Sequence, residues 1–184
     1  MQATTRYSMT MRILHWIIAA CVIVLIPIGL LMVSRGEANI WDTLTNTLYA
    51  WHKAIGFTVL WLMVIRILIK LRQPSLPYTD DIPPVTLLAA RTVHLLMYIL
   101  LIIVPLLGWA GITAFPALNT IGGYHLPALP FIEKGEAFAK QLFNIHGLLG
   151  LTLGVLALAH IAAACKHLLI NRDNVFKRMW FGKT

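Results

Sequence analysis

Apolar residues run along this chain in four long stretches separated by short polar segments. The stretches are Ile13–Val33, Trp51–Leu71, Leu87–Ala114 and Phe143–Ile170. Each meets the requirement of about 20 mostly apolar residues for one helical crossing of a bilayer. The last two exceed it, and Pro105 gives the third a place to kink. A cleaved leader is the competing reading of the first stretch, since Arg6 and Arg12 precede it. The stretch is longer than a usual leader core, and Met32-Val33-Ser34-Arg35 is a poor cleavage site, so it is read as a span. Between the second and third stretches, Gln73–Thr86 carries Pro74, Pro77, Pro83 and Pro84 and reads as an extended connector. Between the third and fourth, Gly122-Gly123, Pro127 and Pro130 mark turns, and Glu133–Gln141 reads as a short surface helix.

Composition agrees with this pattern. Hydrophobic residues make up 59% of the 184 and charged residues 12%, and mean hydropathy is +0.77, which excludes an ordinary soluble domain. The expected class is all-α, an integral membrane four-helix bundle forming one domain over residues 1–184. A formal net charge of +8 would suit nucleic acid if it were clustered. With alternating spans, however, Arg6, Arg12, Arg66, Lys70, Arg72, Arg91, Lys166, Arg172, Lys177, Arg178 and Lys183 fall on one side of the membrane. Only Arg35, Lys53, Lys134 and Lys140 fall on the other, where Glu37, Asp42, Glu133 and Glu136 cancel them. Asp80, Asp81 and Asp173 offset little of the larger group. The side rich in Lys and Arg is the cytoplasmic one, so both termini are expected in the cytoplasm. Topology accounts for the charge without a nucleic-acid partner.

A weak repeat relates the two halves. His15 leads to Pro27 and Gly29 in the first stretch, as His94 leads to Pro105 and Gly108 in the third. His52 and Gly56 in the second match His146 and Gly150 in the fourth.

Histidines carry the candidate chemistry. His146 and His160 share one helix face but stand roughly 21 Å apart along it, so they cannot serve one metal. His52 lies at the depth of His146, and His15 at the depth of His160. The expected pairs are therefore His52 with His146 and His15 with His160. A structural zinc site takes four protein ligands and a catalytic one three. No Asp, Glu or Cys joins either pair at its depth. Haem iron needs only two axial ligands, so two bis-histidine haems fit the count. Small residues one turn on, Ala19, Gly56, Gly150 and Ala164, leave a gap for a flat macrocycle beside these four histidines. His94, His125 and His167 are followed at that offset by Tyr98, Leu129 and Asn171. Without a Cys-x-x-Cys-His motif the haems would be held non-covalently, as b haems. Cys21 and Cys165 lie near opposite membrane faces and read as packing residues. His125 reads as a solvated loop residue, and Trp16, Trp51, Trp61 and Trp109 as interfacial or packing aromatics, with Trp51 also placed to flank the outer haem.

Leu14-His15-Trp16, Trp51-His52-Lys53, Val64-Ile65-Arg66, Ala90-Arg91-Thr92-Val93-His94 with Tyr98, and His146, His160, His167 and Asp173 together resemble the bacterial cytochrome b561 family. These are four-helix inner-membrane dihaem cytochromes, related to the cytochrome b subunits of hydrogenases and formate dehydrogenases. The resemblance covers essentially the whole chain. It implies haem ligands at His15, His52, His146 and His160, and transmembrane electron transfer in the bacterial inner membrane. The family includes a member that oxidises superoxide and passes the electron to ubiquinone, with the position of His167 implicated at the quinone. This chain has Arg91 where that member has histidine, and its long outer loop differs, so the substrate does not carry over.

Arg66 is too deep to reach bulk water unless its side chain runs toward the inner interface, and no carboxylate at its depth pairs with it. A haem propionate or a quinone is the favoured partner, with Arg91 and His94 beside the same inner pocket. The expected path runs from a periplasmic donor, superoxide or another small anion, through the haems to ubiquinone near His167. Two alternatives stand beside it: an anchor subunit of a dehydrogenase complex, and a small four-helix transporter or metal carrier in the lipid.

Overall fold

The computed structural model describes residues 6–74, 76, 82–115, 120, 121 and 124–181. Pro77, Asp80, Asp81, Gly122, Gly123 and Lys183 of the sequence reading lie outside the described residues. Four helices dominate: α1 (Met9–Glu37), α2 (Thr43–Leu71), α3 (Pro84–Ala114) and α4 (Glu136–Lys166). All four are long and apolar enough to cross a membrane. Consecutive helices pack against each other, and α1 and α4 touch lightly to close the ring.

The helix ends depart from the apolar boundaries for identifiable reasons. Ser8 caps α1 by accepting from the Met11 N–H, and Asp42 caps α2 by accepting from the Thr45 N–H at 2.9 Å. Arg35 ties these two helices together, donating to Asp42 and to the Thr45 hydroxyl. α3 begins at Pro84 rather than Leu87, because proline in the first turn needs no N–H partner and arrives with a helical φ. The last proline of the expected connector thus belongs to the helix.

The expected surface helix at Glu133–Gln141 is instead the beginning of α4, which starts seven residues before Phe143. Nothing between Gln141 and Phe143 breaks a helix, Glu136 suits the positive end of the helix dipole, and Ala139 and Leu142 bury against Ala110 and Ala114 of α3. Close approach of α3 and α4 depends on Gly111, since a Cβ there would stand 2.5 Å from the Phe143 ring. A larger cluster, including Leu14, Val22, Met63, Leu101, Val104 and Leu153, fills the centre of the ring. Val155, Leu158, Leu95 and Leu68 stay exposed, as lipid-facing residues do.

Two short strands, β1 (Thr120–Ile121) and β2 (Tyr124–His125), form a hairpin that sequence reading did not anticipate, and His125 lies exposed on it. Trp109 anchors this outer loop by donating to the Pro127 carbonyl at 2.8 Å.

Candidate functional site: two histidine pairs and an inner cavity

His52 of α2 and His146 of α4 face each other, with ring centroids 5.9 Å apart, in the half of the bundle toward the α1–α2 and α3–α4 connections, the half the sequence leads one to expect on the outer side. Two glycines shape the space around these rings. A Cβ at Gly29 of α1 would come within 3.1 Å of His52, and one at Gly108 of α3 within 3.1 Å of His146. The repeat seen in the sequence is thus a repeated contact, in which the glycine after each helix proline receives the histidine of the next helix.

His146 Nδ1 lies 2.8 Å from the Val104 carbonyl, which can only accept, so Nδ1 carries the proton and Nε2 keeps its lone pair. The Leu25 carbonyl interacts with the His52 ring, but the buried His52 Nδ1 closes no hydrogen bond among the described residues. One turn beyond His52, Gly56 has no atom within 4 Å of an added Cβ, and at Gly150 the nearest is a Val104 methyl at 4.0 Å.

The inner site holds three histidines. His160 of α4 has His15 of α1 at 6.2 Å and His94 of α3 at 5.1 Å between centroids. With metal–imidazole bonds of about 2 Å, two nitrogens on opposite sides of one metal stand about 4 Å apart and their ring centroids about 6 Å apart. His52/His146 and His15/His160 stand near that separation, and His94, at 5.1 Å, lies nearer to His160 than His15 does at 6.2 Å. α3 also packs directly on α4, while α1 and α4 only touch, which leaves more room on the His15 side. Among the described residues no three or more His, Cys, Asp or Glu side chains form a metal site. Pairs of facing histidines and open glycine faces therefore fit a group that brings its own equatorial ligands, as haem does.

Arg66 of α2 is 6% exposed, and its side chain reaches the first turn of α1. Its guanidinium donates to the Tyr98 hydroxyl at 3.1 Å and the Met11 carbonyl at 2.7 Å. No carboxylate pairs with it among the described residues. Arg91 is exposed on α3 three residues before His94. Trp51 is 59% exposed. Cys21 and Cys165 are free. Trp16 does more than pack at an interface, since its Nε1 donates to the Met179 carbonyl at 2.9 Å while its ring meets His15 and Trp180 edge-on. The segment after Asp173 thereby covers the inner end of α1.

His167 lies beyond these clusters, beside a cavity of about 490 Å³ between the start of α3 (Ile82, Pro83, Thr86) and the end of α4 (Ala163, His167, Asp173). Residues His167–Asn171 form a single π-helical turn, a feature frequent at functional sites. Arg172 follows with φ of 53°, a left-handed conformation uncommon for a residue with a side chain. Together they bring Asp173 back onto His167, whose Nδ1 donates to Asp173 Oδ2. Partial burial opposes ionisation of Asp173, but bonds from His167, the Val175 N–H and Asn171 outweigh it and hold the carboxyl below its ordinary range. Sequence reading singled out His167 but missed this partnership and the approach of His94 to His160.

A sequence profile described as "Prokaryotic cytochrome b561" matches residues 6–182. "Cytochrome b561 homolog 2" of Escherichia coli (strain K12) is 30% identical over 175 residues, covering 95% of this chain and 90% of that protein. "Cytochrome b561 homolog 1" of the same strain is 28% identical over 174 residues, covering 95% of this chain and 96% of that protein. With four membrane-crossing helices and histidines facing across them, the chain belongs to the prokaryotic cytochrome b561 family, multi-pass proteins of the bacterial inner membrane that carry electrons on haem b.

Proposed function

We propose that the whole chain, residues 1–184, forms one dihaem domain that moves electrons between a periplasmic donor and membrane quinone. The observation that carries this reading is the presence of two facing histidine pairs, at 5.9 and 6.2 Å, on the outer and inner sides of one bundle. When bound, b haem supplies reversible one-electron chemistry by cycling between ferric and ferrous iron. His52 and His146 hold the outer group and His15 and His160 the inner one. The Val104 carbonyl fixes the His146 tautomer, and Gly29 and Gly108 set how far the outer rings can turn. Gly56 and Gly150 give the macrocycle faces without side chains. Arg66, with its charge unpaired by carboxylate among the described residues, supplies positive potential for an inner propionate, with His94 alongside.

Both termini lie in the cytoplasm in this reading, which is supported by the sidedness of Lys and Arg. His167 and its cavity then sit at the cytoplasmic end, where a quinone can reach both lipid and water. A small anion such as superoxide is the donor the family resemblance suggests; on the outer side Arg35 is neutralised by Asp42, and Lys134 and Lys140 are balanced by Glu133 and Glu136, so the attraction is not one of net charge. Two superoxide ions give up two electrons as they become dioxygen, and quinone takes those electrons with two protons to become quinol. The test is to mix the reduced, detergent-purified protein with a short-chain ubiquinone analogue and follow the Soret band. Rapid return to the oxidised spectrum is expected, and a reduced spectrum that persists in excess quinone overturns the quinone reading.

A further inference from the structure

We infer that Asp173 is the positioning residue of the inner cavity, fixing the His167 ring as a proton donor to the bound quinone; this rests on the reading of that cavity as the quinone site. Three independent features converge on the pair. The π-helical turn at His167–Asn171 displaces the chain from regular α-helix, and Arg172 adopts the left-handed conformation directly after it. The Asp173 N–H then reaches the His167 carbonyl at 3.3 Å, and the carboxylate closes on His167 Nδ1. The carboxylate is itself held, because Oδ1 accepts from the Val175 N–H at 3.0 Å and the Asn171 amide lies 3.5 Å from Oδ2. A carboxylate so placed accepts only, so Nδ1 carries a proton in every charge state of the ring and exchangeable chemistry is confined to Nε2.

Both residues line the cavity, where Lys166 is the only other charged side chain among the described residues and Thr86 the polar contribution of α3. Arg172 points elsewhere, its Nε toward the Leu169 carbonyl. The quinone takes two electrons from the cytochrome, one at a time, and two protons. Each proton leaves Nε2 as an O–H bond forms on a quinone oxygen, and the ring regains it from water at the inner interface. The neutral ring left behind is the Nδ1–H tautomer, still bonded to Asp173.

Asp173→Asn keeps an oxygen for the Val175 N–H while removing the charge, so it tests positioning apart from folding. With the full-length haem-loaded protein and a short-chain ubiquinone analogue, this variant is expected to lower kcat by roughly tenfold or more with KM little changed. Asp173→Glu, which keeps the carboxylate, is expected to restore part of the lost kcat. Haem content and spectra stay those of the parent. His167→Gln with Asp173→Asn should be no slower than His167→Gln alone.

A parental kcat for Asp173→Asn, with His167→Gln slow, overturns the inference and leaves the quinone site standing. Parental rates in both overturn the site as well. Should Asp173→Asn fail to accumulate, ¹⁵N-histidine NMR of the parent decides, with His167 assigned by its loss in His167→Gln. A neutral Nδ1–H tautomer is expected, and the Nε2–H tautomer refutes the positioning role.

Discussion

Gly56 offers a way to detect the outer macrocycle through the space it needs. A Cβ added there meets no protein atom within 4 Å, so Gly56→Ala creates no clash within the described protein, and Gly56→Leu extends a longer side chain from the same open position. Glycine inside a helix is less favourable than alanine by about 0.8–1 kcal/mol, and leucine is nearly as good a helix former as alanine. The bare scaffold is therefore expected to be as stable as the parent or slightly more so. If a porphyrin lies along the face of His52, the same side chains overpack it. Overpacking costs about 1–3 kcal/mol, equivalent to roughly fivefold to a hundredfold weaker binding, with alanine near the low end and leucine near the high end. Gly147 is the control, for it too meets nothing within 4 Å, but it lies next to His146 on an exposed part of α4. Haem per protein should be measured by pyridine haemochrome, with helical content and thermal unfolding recorded on the same samples. The expected result is progressive loss of the outer haem from Gly56→Ala to Gly56→Leu, with the inner haem retained and Gly147→Leu unaffected. Full haem content in a well-folded Gly56→Leu refutes a macrocycle on that face.

Three further outcomes follow from other parts of the structure. Reporter fusions after Arg72 and after Glu136 should report cytoplasm and periplasm respectively, and a cytoplasmic signal after Glu136 refutes the topology and the outer donor with it. Arg66→Gln removes a buried positive charge beside His15 and His94, so a redox titration should show a lower midpoint potential for the inner haem alone; an unchanged potential dissociates Arg66 from that site. The Thr45 N–H and Arg35 hold the Asp42 carboxyl down to about 2 from an ordinary 3.8. What Asp42 adds to stability is therefore complete above 3.8 and is lost as pH falls through about 2. Parent and Asp42→Asn, which keeps a capping oxygen but not the charge, should differ in thermal unfolding near neutral pH and converge in strong acid, and equal unfolding at neutral pH contradicts a contribution from the Asp42 charge.

The helices and the histidine pairs were legible for the same reason, since length, apolarity and helical rise are properties of the sequence itself. Fourteen residues between His146 and His160 fix their separation whatever the rest of the fold does. What escaped depends on tertiary contact. Glu136, Lys140 and Gln141 made the first turns of α4 resemble a separate surface helix, although Ala139 and Leu142 pack against α3. Pro84 resembled part of a connector because proline marks both loops and first turns. His94 was set aside for the bulk of Tyr98, yet that side chain is drawn to Arg66, and α3 lies close enough to α4 to bring His94 to His160. The return of Asp173 to His167 needs a π-helical turn and a left-handed arginine, neither of which local propensity announces. Trp16 finds its partner in the Met179 carbonyl, 163 residues away in sequence.

The most direct test of the central claim is haem stoichiometry across single alanine substitutions of His15, His52, His146 and His160. The parent should bind two b haems per chain. His52→Ala and His146→Ala should each lose the same one, and His15→Ala and His160→Ala the other, with the lost species distinguished by its spectrum and potential. One haem per chain in the parent, or full content after His146→Ala, contradicts the two-site account. Loss of the inner haem with His94→Ala but not with His15→Ala would move the inner ligand from α1 to α3.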